Sequence, residues 1–188
     1  MNKLKGLFTC VVMVLCMTLT SGCAEKDGTK KDARGISGSR YTDLTSALES
    51  SGFPEHEAKN NEDKRCQAIS ATGMLDNNTG IHYIYAMSYT YNDEIMKASF
   101  DTVNLSYVDN DTFLSESERY LDFILTAMKY DECDIEETKK WLSENIKRVN
   151  RGEYSAEIVV GDVKFNLYGS DLEDGTCGAR TLILEKEF

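Results

Sequence analysis

The chain has 188 residues, with 21 basic against 32 acidic side chains, a formal net charge of -11 and one proline. This length fits one modest domain, and a composition of 41% hydrophobic and 28% charged residues excludes a disordered, collagen-like or multi-span membrane chain. The acidic balance disfavours nucleic acid as a partner, because phosphate binding needs a concentrated basic face.

The first 22 residues have the layout of an export signal. Lys3 and Lys5 precede a mostly apolar stretch over residues 7–19, and the small residues Ser21 and Gly22 follow it. A basic start, a short apolar run and a small-residue cleavage zone are the secretory pattern. Because the run is too short to cross a bilayer comfortably, the sequence favours a cleaved signal peptide over an uncleaved anchor helix.

The end of this signal carries a more specific motif. Thr20-Ser21-Gly22-Cys23 resembles the lipobox of bacterial lipoproteins, in which cleavage precedes the cysteine after a diacylglycerol is joined to its sulfur. Thr20 stands where that family usually has Leu, Val or Ile. The resemblance implies lipid attachment at Cys23 on the extracytoplasmic face of the cell membrane, since several acyl chains on one cysteine anchor a protein stably. The alternative is ordinary secretion, with cleavage near Cys23-Ala24 and a soluble product.

Behind the signal, the sequence predicts a flexible linker over residues 23–40 and a single domain over residues 41–188. The stretch 24–40 is rich in Lys, Asp, Gly and Ser, with few apolar residues except Ile36, which is typical of a linker. Cleavage before Cys23 leaves 188 minus 22, or 166 residues, and the loss of Lys3 and Lys5 changes the net charge from -11 to -13. Anionic headgroups and phosphate-rich polymers repel such a domain.

The domain begins with a predicted short helix. Thr42 and Asp43 are candidate caps, and Leu44 and Leu48 are spaced to lie on one buried face. A glycine and a proline shortly afterwards end this helix. The polar stretch over residues 55–65 is then predicted as a loop.

Three strands follow the loop. They are predicted over residues 66–75, 81–91 and 95–108, with turns at 76–80 and 92–94. In the third strand the apolar residues change parity part-way along, which predicts a bulge near Asp101-Thr102.

Two helices come next and are predicted to form an antiparallel hairpin, because the loop between them is short. Ser115 with Glu118 fits a capping box, and Asp134 with Glu137 repeats this start signal. Apolar residues at helical spacing define the buried side of each helix. They are Tyr120, Leu121, Ile124, Leu125 and Met128 in the first, and Ile135, Leu142, Ile146 and Val149 in the second.

The C-terminal part returns to strands. Alternation over residues 154–160 and 163–167, with Gly161-Asp162 between them, predicts a hairpin, and residues 179–188 supply a last strand after a loop over 169–178. The predicted fold class is α+β, with a mainly antiparallel sheet and helices packed on one face. The element order also fits a degenerate tandem repeat of a helix-plus-three-strand unit.

The strand over residues 81–91 places a row of aromatic side chains on one face. Tyr83, Tyr85, Tyr89 and Tyr91 share one parity, and an exposed row of this kind could bind a peptide, a glycan or a protein. The alternation favours a second interpretation, in which this is the core face and the parity of His82, Ala86, Ser88 and Thr90 is the wetter side.

The remaining cysteines and acidic loops give no firm site. Cys66, Cys133 and Cys177 allow three different single bridges and leave one thiol over. Neither these cysteines nor His56 and His82 have metal-ligand spacing, and the acidic loops at 109–111 and 171–175 lack the ligand pattern of a calcium loop. No metal or cofactor is assigned.

We find no nucleophile elbow and no phosphate-binding glycine loop, so no catalytic residue is assigned. The preferred hypothesis is a non-catalytic lipoprotein that is tethered to the membrane and binds an envelope protein, a peptide or a glycan. The alternative is an envelope hydrolase that uses carboxylates with His82 or His56, which requires two such groups to converge. A third hypothesis is a purely structural subunit of a larger assembly.

Overall fold

The structure, a computed structural model, describes residues 35–51, 55–63, 68–76, 80–105, 108–131, 133–149 and 154–187. The predicted signal peptide, the lipidation site Cys23 and the thiol of Cys66 lie outside the described residues.

The described part of the chain contains three helices and seven strands, which confirms the α+β class. The helices are α1 (Tyr41–Ser50), α2 (Asn110–Ala127) and α3 (Ile135–Asn145). The strands are β1 (Glu55–Asp63), β2 (Ala68–Asp76), β3 (Ile81–Thr90), β4 (Ile95–Asn104), β5 (Ala156–Val160), β6 (Val163–Asp171) and β7 (Cys177–Lys186). Within these residues, no helix combines the length and the apolar character that crossing a membrane requires.

All seven strands form one antiparallel sheet in the order β1-β2-β3-β4-β7-β6-β5. It consists of two meanders, β1 to β4 and β5 to β7, which join where β4 pairs with β7. The expectation of three strands in each half is therefore wrong for the first half, which has four.

The additional strand is β1, in the stretch that was predicted to be a loop. Its register with β2 runs from Glu55 opposite Leu75 to Asp63 opposite Ala68. An edge strand has a neighbour on one side only, and charged residues are typical of such edges. The sequence Glu-His-Glu-Ala-Lys-Asn-Asn-Glu-Asp therefore shows no apolar alternation, and this is why the sequence predicted a loop.

The predicted bulge near Asp101-Thr102 is also wrong. The pairing of β3 with β4 is continuous there, and its irregularity lies between Ser88 and Tyr89, where Met96 is the extra residue on β4. The change of parity has a different cause, because β4 is the central strand and is buried on both faces over most of its length. A strand that is buried on both sides need not alternate.

The described helices pack on the sheet face that carries Tyr83, Thr102 and Phe165. The ring centroids of Tyr83 and Tyr120 are 4.8 Å apart, and the hydroxyls of Thr102 and Ser117 are 2.7 Å apart. The predicted buried side of α2 is confirmed, since all five of its members are fully buried: Tyr120, Leu121, Ile124, Leu125 and Met128.

The helix starts follow the predictions only in part. Asp134 caps α3 as predicted, with its carboxylate accepting from the amides of Glu136 (3.1 Å) and Glu137 (3.2 Å). The cap of α2 is Asp109, which accepts from Thr112 N at 3.0 Å, so the predicted cap Ser115 lies inside the helix.

The first helix, α1, begins after Arg40 without a side-chain cap of its own. The predicted cap Thr42 instead donates its hydroxyl and its amide to the carboxylate of Asp93 in the turn between β3 and β4. A residue distant in sequence thus accepts the hydrogen bond of a free amide at the start of the helix, and no local sequence pattern reveals this partner.

Residues 35–40, which we call the strap, are folded against the domain. Ile36 is fully buried, its amide donates to the Ile95 carbonyl (2.7 Å), and the Ile95 amide donates to the Ser39 carbonyl (3.0 Å). The folded domain therefore extends back to residue 35 and does not begin at residue 41 as the predicted linker boundary implies. The physical reason is that one apolar side chain is inserted into the core.

Gly38 gives a direct test of the strap. Its φ is 82°, and a Cβ there would lie 2.6 Å from Asp131 Oδ1. We expect Gly38→Ala to lower the free energy of unfolding by about 2 kcal/mol, measured by thermal or denaturant unfolding. In the matched control Gly175→Ala, φ is 83° but the Cβ position is open, so the loss should be only about 1 kcal/mol. A Gly38→Ala variant as stable as the parent would contradict an ordered strap.

Candidate functional site

The predicted tyrosine row lies mostly in the core. Tyr83 and Tyr85 are fully buried and Tyr89 is 7% exposed, so these three candidates for an interaction surface cannot form one. The interpretation as a core face therefore holds for them. Tyr91, at the turn after β3, is 50% exposed and stays a candidate contact.

The buried tyrosines have structural contacts of their own. Tyr85 lies against Gly73, where a Cβ would overlap its ring. Tyr89 stacks on Tyr41 with ring centroids 4.2 Å apart, and burial raises the pKa of Tyr89. An aromatic ring over a glycine of the next strand, and a parallel ring stack, both serve packing within the domain.

The opposite face of the sheet, which we call the outer face, faces away from the described helices. Register partners on neighbouring strands lie on the same face, so the pairings of β3, β4, β7 and β6 arrange its residues in four rows. The first is Ser88, Lys97, Glu185 and Lys164; the second is Ala86, Ser99, Ile183 and Asn166; the third is Ile84, Asp101, Thr181 and Tyr168; the fourth is His82, Val103, Ala179 and Ser170.

The centre of the outer face is largely shielded from solvent. The side chains there are mostly small, and several are at most 8% exposed: Ala86, Ser99, Asp101, Val103, Asn166, Ala179 and Ile183. The expectation that this parity is the wetter side of β3 is therefore wrong for Ala86 and also for Thr90, which is 5% exposed.

Asp101 is the unusual residue of this face. It is 2% exposed, and its carboxylate accepts hydrogen bonds from Ser99 Oγ (3.2 Å) and from Thr181 Oγ1. Burial raises the pKa of Asp101 to about 6, and the two hydroxyl groups lower it by smaller amounts. Burial thus favours the neutral carboxyl group, and the two hydroxyl groups only partly stabilise its charged form.

His82, a candidate for the hydrolase hypothesis, lies in the row next to Asp101. Its Nδ1 is buried without a hydrogen-bond partner, and both partners of the Asp101 carboxylate are hydroxyls. The two side chains share a face but do not form a hydrogen-bonded carboxylate–imidazole pair. The side chain of His56, the other candidate, lies outside the described residues.

The lysines at one end of the outer face are paired with glutamates on neighbouring strands. Lys97 Nζ lies 2.8 Å from Glu185 Oε2, and Lys164 Nζ lies 2.8 Å from Glu157 Oε2. These pairs cross from strand to strand at one end of the sheet. The outer face therefore carries no strong local charge of either sign there.

Large exposed apolar side chains are few in the described part of the chain, and two of the four lie on the outer face. Val159 on β5 is 46% exposed and Tyr168 on β6 is 43% exposed. The other two, Tyr91 and Tyr154, lie away from the strands of this face.

The described cysteines are free thiols in packed surroundings. Burial is the main cause that raises the pKa of both Cys133 and Cys177. Asp134 also raises the pKa of Cys133, as its acidic neighbourhood predicts, but this effect is smaller than burial. The pairing of Cys66 lies outside the described residues, so the choice among the three bridges stays open.

The acidic loops perform structural roles. Asp109 caps α2, and Asp174 accepts from Thr176 N at 2.9 Å, so that hydrogen bonds lower the pKa of both carboxyl groups. Over the ranges that the structure describes, no three His, Cys, Asp or Glu side chains group in a way that could hold a metal ion.

Comparisons with protein-family models, with curated proteins and with solved structures find no significant match.

Sequence reasoning missed Asp101 and Tyr168. Asp101 falls inside a predicted strand, between Phe100 and Thr102, and an acidic residue within such a strand is a usable signal of an unusual environment. Tyr168 directly follows the predicted strand over 163–167, whose core-facing residues are Val163, Phe165 and Leu167, so continuing the alternation by one residue places Tyr168 on the opposite face.

Proposed function

We propose that the protein is a non-catalytic lipoprotein, anchored through Cys23 to the extracytoplasmic face of the cell membrane, whose outer face binds another protein of the envelope. The observation that carries the binding site is the exposure of Tyr168 and Val159 on a sheet face that the described helices leave uncovered. Tyrosine is enriched among residues that dominate binding energy, because it offers apolar area together with a hydroxyl group.

The cost to stability of burying Asp101 also supports a binding site on the outer face. At neutral pH a buried carboxyl with a raised pKa lowers the stability of the fold, and such groups cluster at functional sites. Asp101 lies at the centre of the outer face, between Ile84 and Thr181, and the exposed Tyr168 follows Thr181 in the same row.

A protein suits this face better than a glycan or an extended peptide. Tyr168 is the only Phe, Tyr or Trp side chain among the described residues of the four rows, so the face offers a sugar ring a single large aromatic side chain to stack on. A peptide that adds to the sheet needs an accessible edge, but β1 is rich in charge and β5 has only five residues.

The net charge of the chain further narrows the class of partner protein. A mature chain of charge -13 repels a second copy of itself and attracts a basic surface over a distance. The partner is thus a protein with a basic surface, and its association should weaken as the salt concentration rises.

Tyr168→Ser tests the proposed contact. Loss of a half-exposed tyrosine at the centre of an interface typically weakens binding by about 2 kcal/mol, or roughly thirtyfold. We expect the yield of the partner adduct in cells treated with a chemical crosslinker to fall by at least about tenfold, with no change in thermal stability.

The matched control is Tyr154→Ser. Tyr154 is 37% exposed, close to the 43% of Tyr168, but it lies beside α3, where its hydroxyl donates to Asn145 Oδ1 at 3.0 Å. This variant should keep the adduct. Equal losses from both variants, or a loss from Tyr154→Ser alone, would contradict binding through the outer face.

A further inference from the structure

The strap attaches the chain to one end of the sheet. Its Gly35 amide donates to Glu94 Oε2 (3.3 Å) in the turn after β3, and its Gly35 carbonyl accepts from Lys186 Nζ (3.1 Å) at the end of β7. Lys186 also pairs with Asp162 in the turn between β5 and β6, at 3.0 Å. We call this end of the domain, with the strap and these two turns, the tether end.

A further contact fixes the strap to the loop between α2 and α3. Ser37 Oγ donates to Asp131 Oδ2 (2.8 Å), and the Asp131 amide donates to the Ser37 carbonyl (3.1 Å). Three separate parts of the fold are hydrogen-bonded to the strap, namely the β3–β4 turn with the start of β4, the end of β7 and the α2–α3 loop, so the strap is part of the folded domain. A freely moving tether could therefore not include residues 35–40.

The opposite end of the domain is formed by the turn between β6 and β7 and by the start of α2. Asn110 joins them, donating to the Gly175 carbonyl (3.1 Å) and accepting from Cys177 N (2.8 Å). We call this the distal end. A ten-residue strand such as β7 is about 33 Å long, so the two ends are separated by roughly that distance.

The predicted tether is short compared with the sheet. From Cys23 to residue 34 there are twelve residues, which span about 43 Å when fully extended and about 20 Å on average as a flexible coil. Turning the distal end toward the membrane would require the tether to run along the whole domain, close to full extension. The tether end therefore stays nearer the bilayer.

Charge disfavours a third arrangement, in which the domain lies flat on the membrane. The mature chain carries a charge of -13, and anionic headgroups repel it over about a Debye length. The strands of the sheet then run away from the membrane, with the row that begins at Ser88 closest to the bilayer and the row that begins at His82 furthest from it.

We infer that the tether end of the domain faces the membrane, with the outer face roughly perpendicular to the bilayer. We infer also that the partner of this face is the extracytoplasmic part of a protein in the same membrane. This rests on the proposed function. A partner of that kind lies beside the domain, at the same distance from the bilayer as Val159 and Tyr168. A wall polymer or a protein on an opposing surface would contact the distal end first.

Energy transfer in reconstituted vesicles tests the orientation. The full chain, processed in cells and purified in detergent, carries a fluorescent amino acid in place of either Asn92 at the tether end or Glu173 at the distal end, both exposed. The vesicles contain an acceptor-labelled headgroup lipid. We expect transfer from position 92 to be about twofold or more above transfer from position 173, because the two ends are separated by about the length of a strand.

The experiment distinguishes a failure of the orientation from a failure of the lipid anchor. A control with thirty Gly and Ser residues added to the tether should lose most of the difference between positions 92 and 173. Equal transfer with the native tether, or higher transfer from position 173, would overturn the orientation. No transfer from either position would overturn the lipid anchor itself, and with it the proposed function.

A second measurement tests the class of partner. The domain is exported with an ordinary secretion signal that is cleaved before Ala24, so that it carries no lipid, and a photoreactive residue replaces Val159. We expect its adduct to fractionate with detergent-soluble membrane proteins. An adduct in the wall or soluble fraction would overturn a partner in the same membrane while leaving binding through the outer face intact.

Discussion

Asp101→Asn should stabilise the domain at pH 7. The folded state raises the pKa of this carboxyl from 3.8 to about 6, because the group is buried and its partners are the hydroxyls of Ser99 and Thr181. An asparagine keeps the shape, and its amide can donate to either hydroxyl without placing a charge in the sheet. The gap between 3.8 and about 6 corresponds to a gain on the order of 3 kcal/mol, or about 6–12 °C in Tm.

The sign of the pH dependence follows from the same values. Between pH 3.8 and about 6 the folded state holds a proton on Asp101 that the unfolded state has lost. The contribution of Asp101 to stability is therefore fully present below pH 3.8 and is lost as the pH rises through about 6. The difference in unfolding free energy between Asp101→Asn and the parent should be small at pH 4 and largest above pH 7.

Denaturant unfolding of both proteins from pH 4 to pH 8 measures this difference. Asp174→Asn is the control, because hydrogen bonds to Thr176 lower the pKa of that exposed carboxyl and reverse the sign. If Asp101→Asn were less stable than the parent at pH 7, a cation would have to be stabilising the carboxylate, and our description of the outer face would fail.

Arg180→Met should destabilise the domain more than any surface charge change. Arg180 is 1% exposed and lies under the end of α3, where its Nε donates to the Ile146 carbonyl (3.0 Å) and its Nη1 pairs with Asp171 Oδ1 (2.9 Å). Removal leaves a buried carbonyl and a carboxylate without their partner. We expect a loss of roughly 3–5 kcal/mol, or about 6–20 °C in Tm.

An exposed ion pair provides the control for this variant. Lys164 pairs with Glu157 across β5 and β6, and Lys164→Met should change stability by less than about 1 kcal/mol. Arg180→Lys should recover little, since one ammonium group cannot reach both the carbonyl and the carboxylate in the fork geometry of a guanidinium. A Tm for Arg180→Met within a few degrees of the parent would contradict a structural role for Arg180 in this partly buried ion pair.

The sequence predicts those parts of the fold that are determined by residues close to one another in the chain. The apolar stripe of α2, the cap at Asp134 and the Gly161-Asp162 hairpin each depend on a few neighbouring residues, and all three are present. The strand β1 and the strap depend on distant partners. β1 forms because β2 offers a free edge, and Ile36 is buried because the start of β4 offers hydrogen bonds to the strap.

The candidate site was harder to predict for a similar reason. The tyrosine row of β3 has the right composition for a binding surface, but the helices cover its face, which is the interpretation that the alternation along this strand favours. The outer face is assembled from single residues on four strands, and Asp101, Thr181 and Tyr168 become neighbours only through the pairing order of the sheet.

Photo-crosslinking in cells from two positions tests the central claim, binding through the outer face, most directly. A photoreactive residue replaces Val159 on the outer face or Ser143 on the exposed side of α3. We predict one discrete protein adduct from position 159, strongly reduced when Tyr168→Ser is added, and no matching adduct from position 143. An adduct from position 143 alone, or equal adducts from both positions, would contradict binding through the outer face.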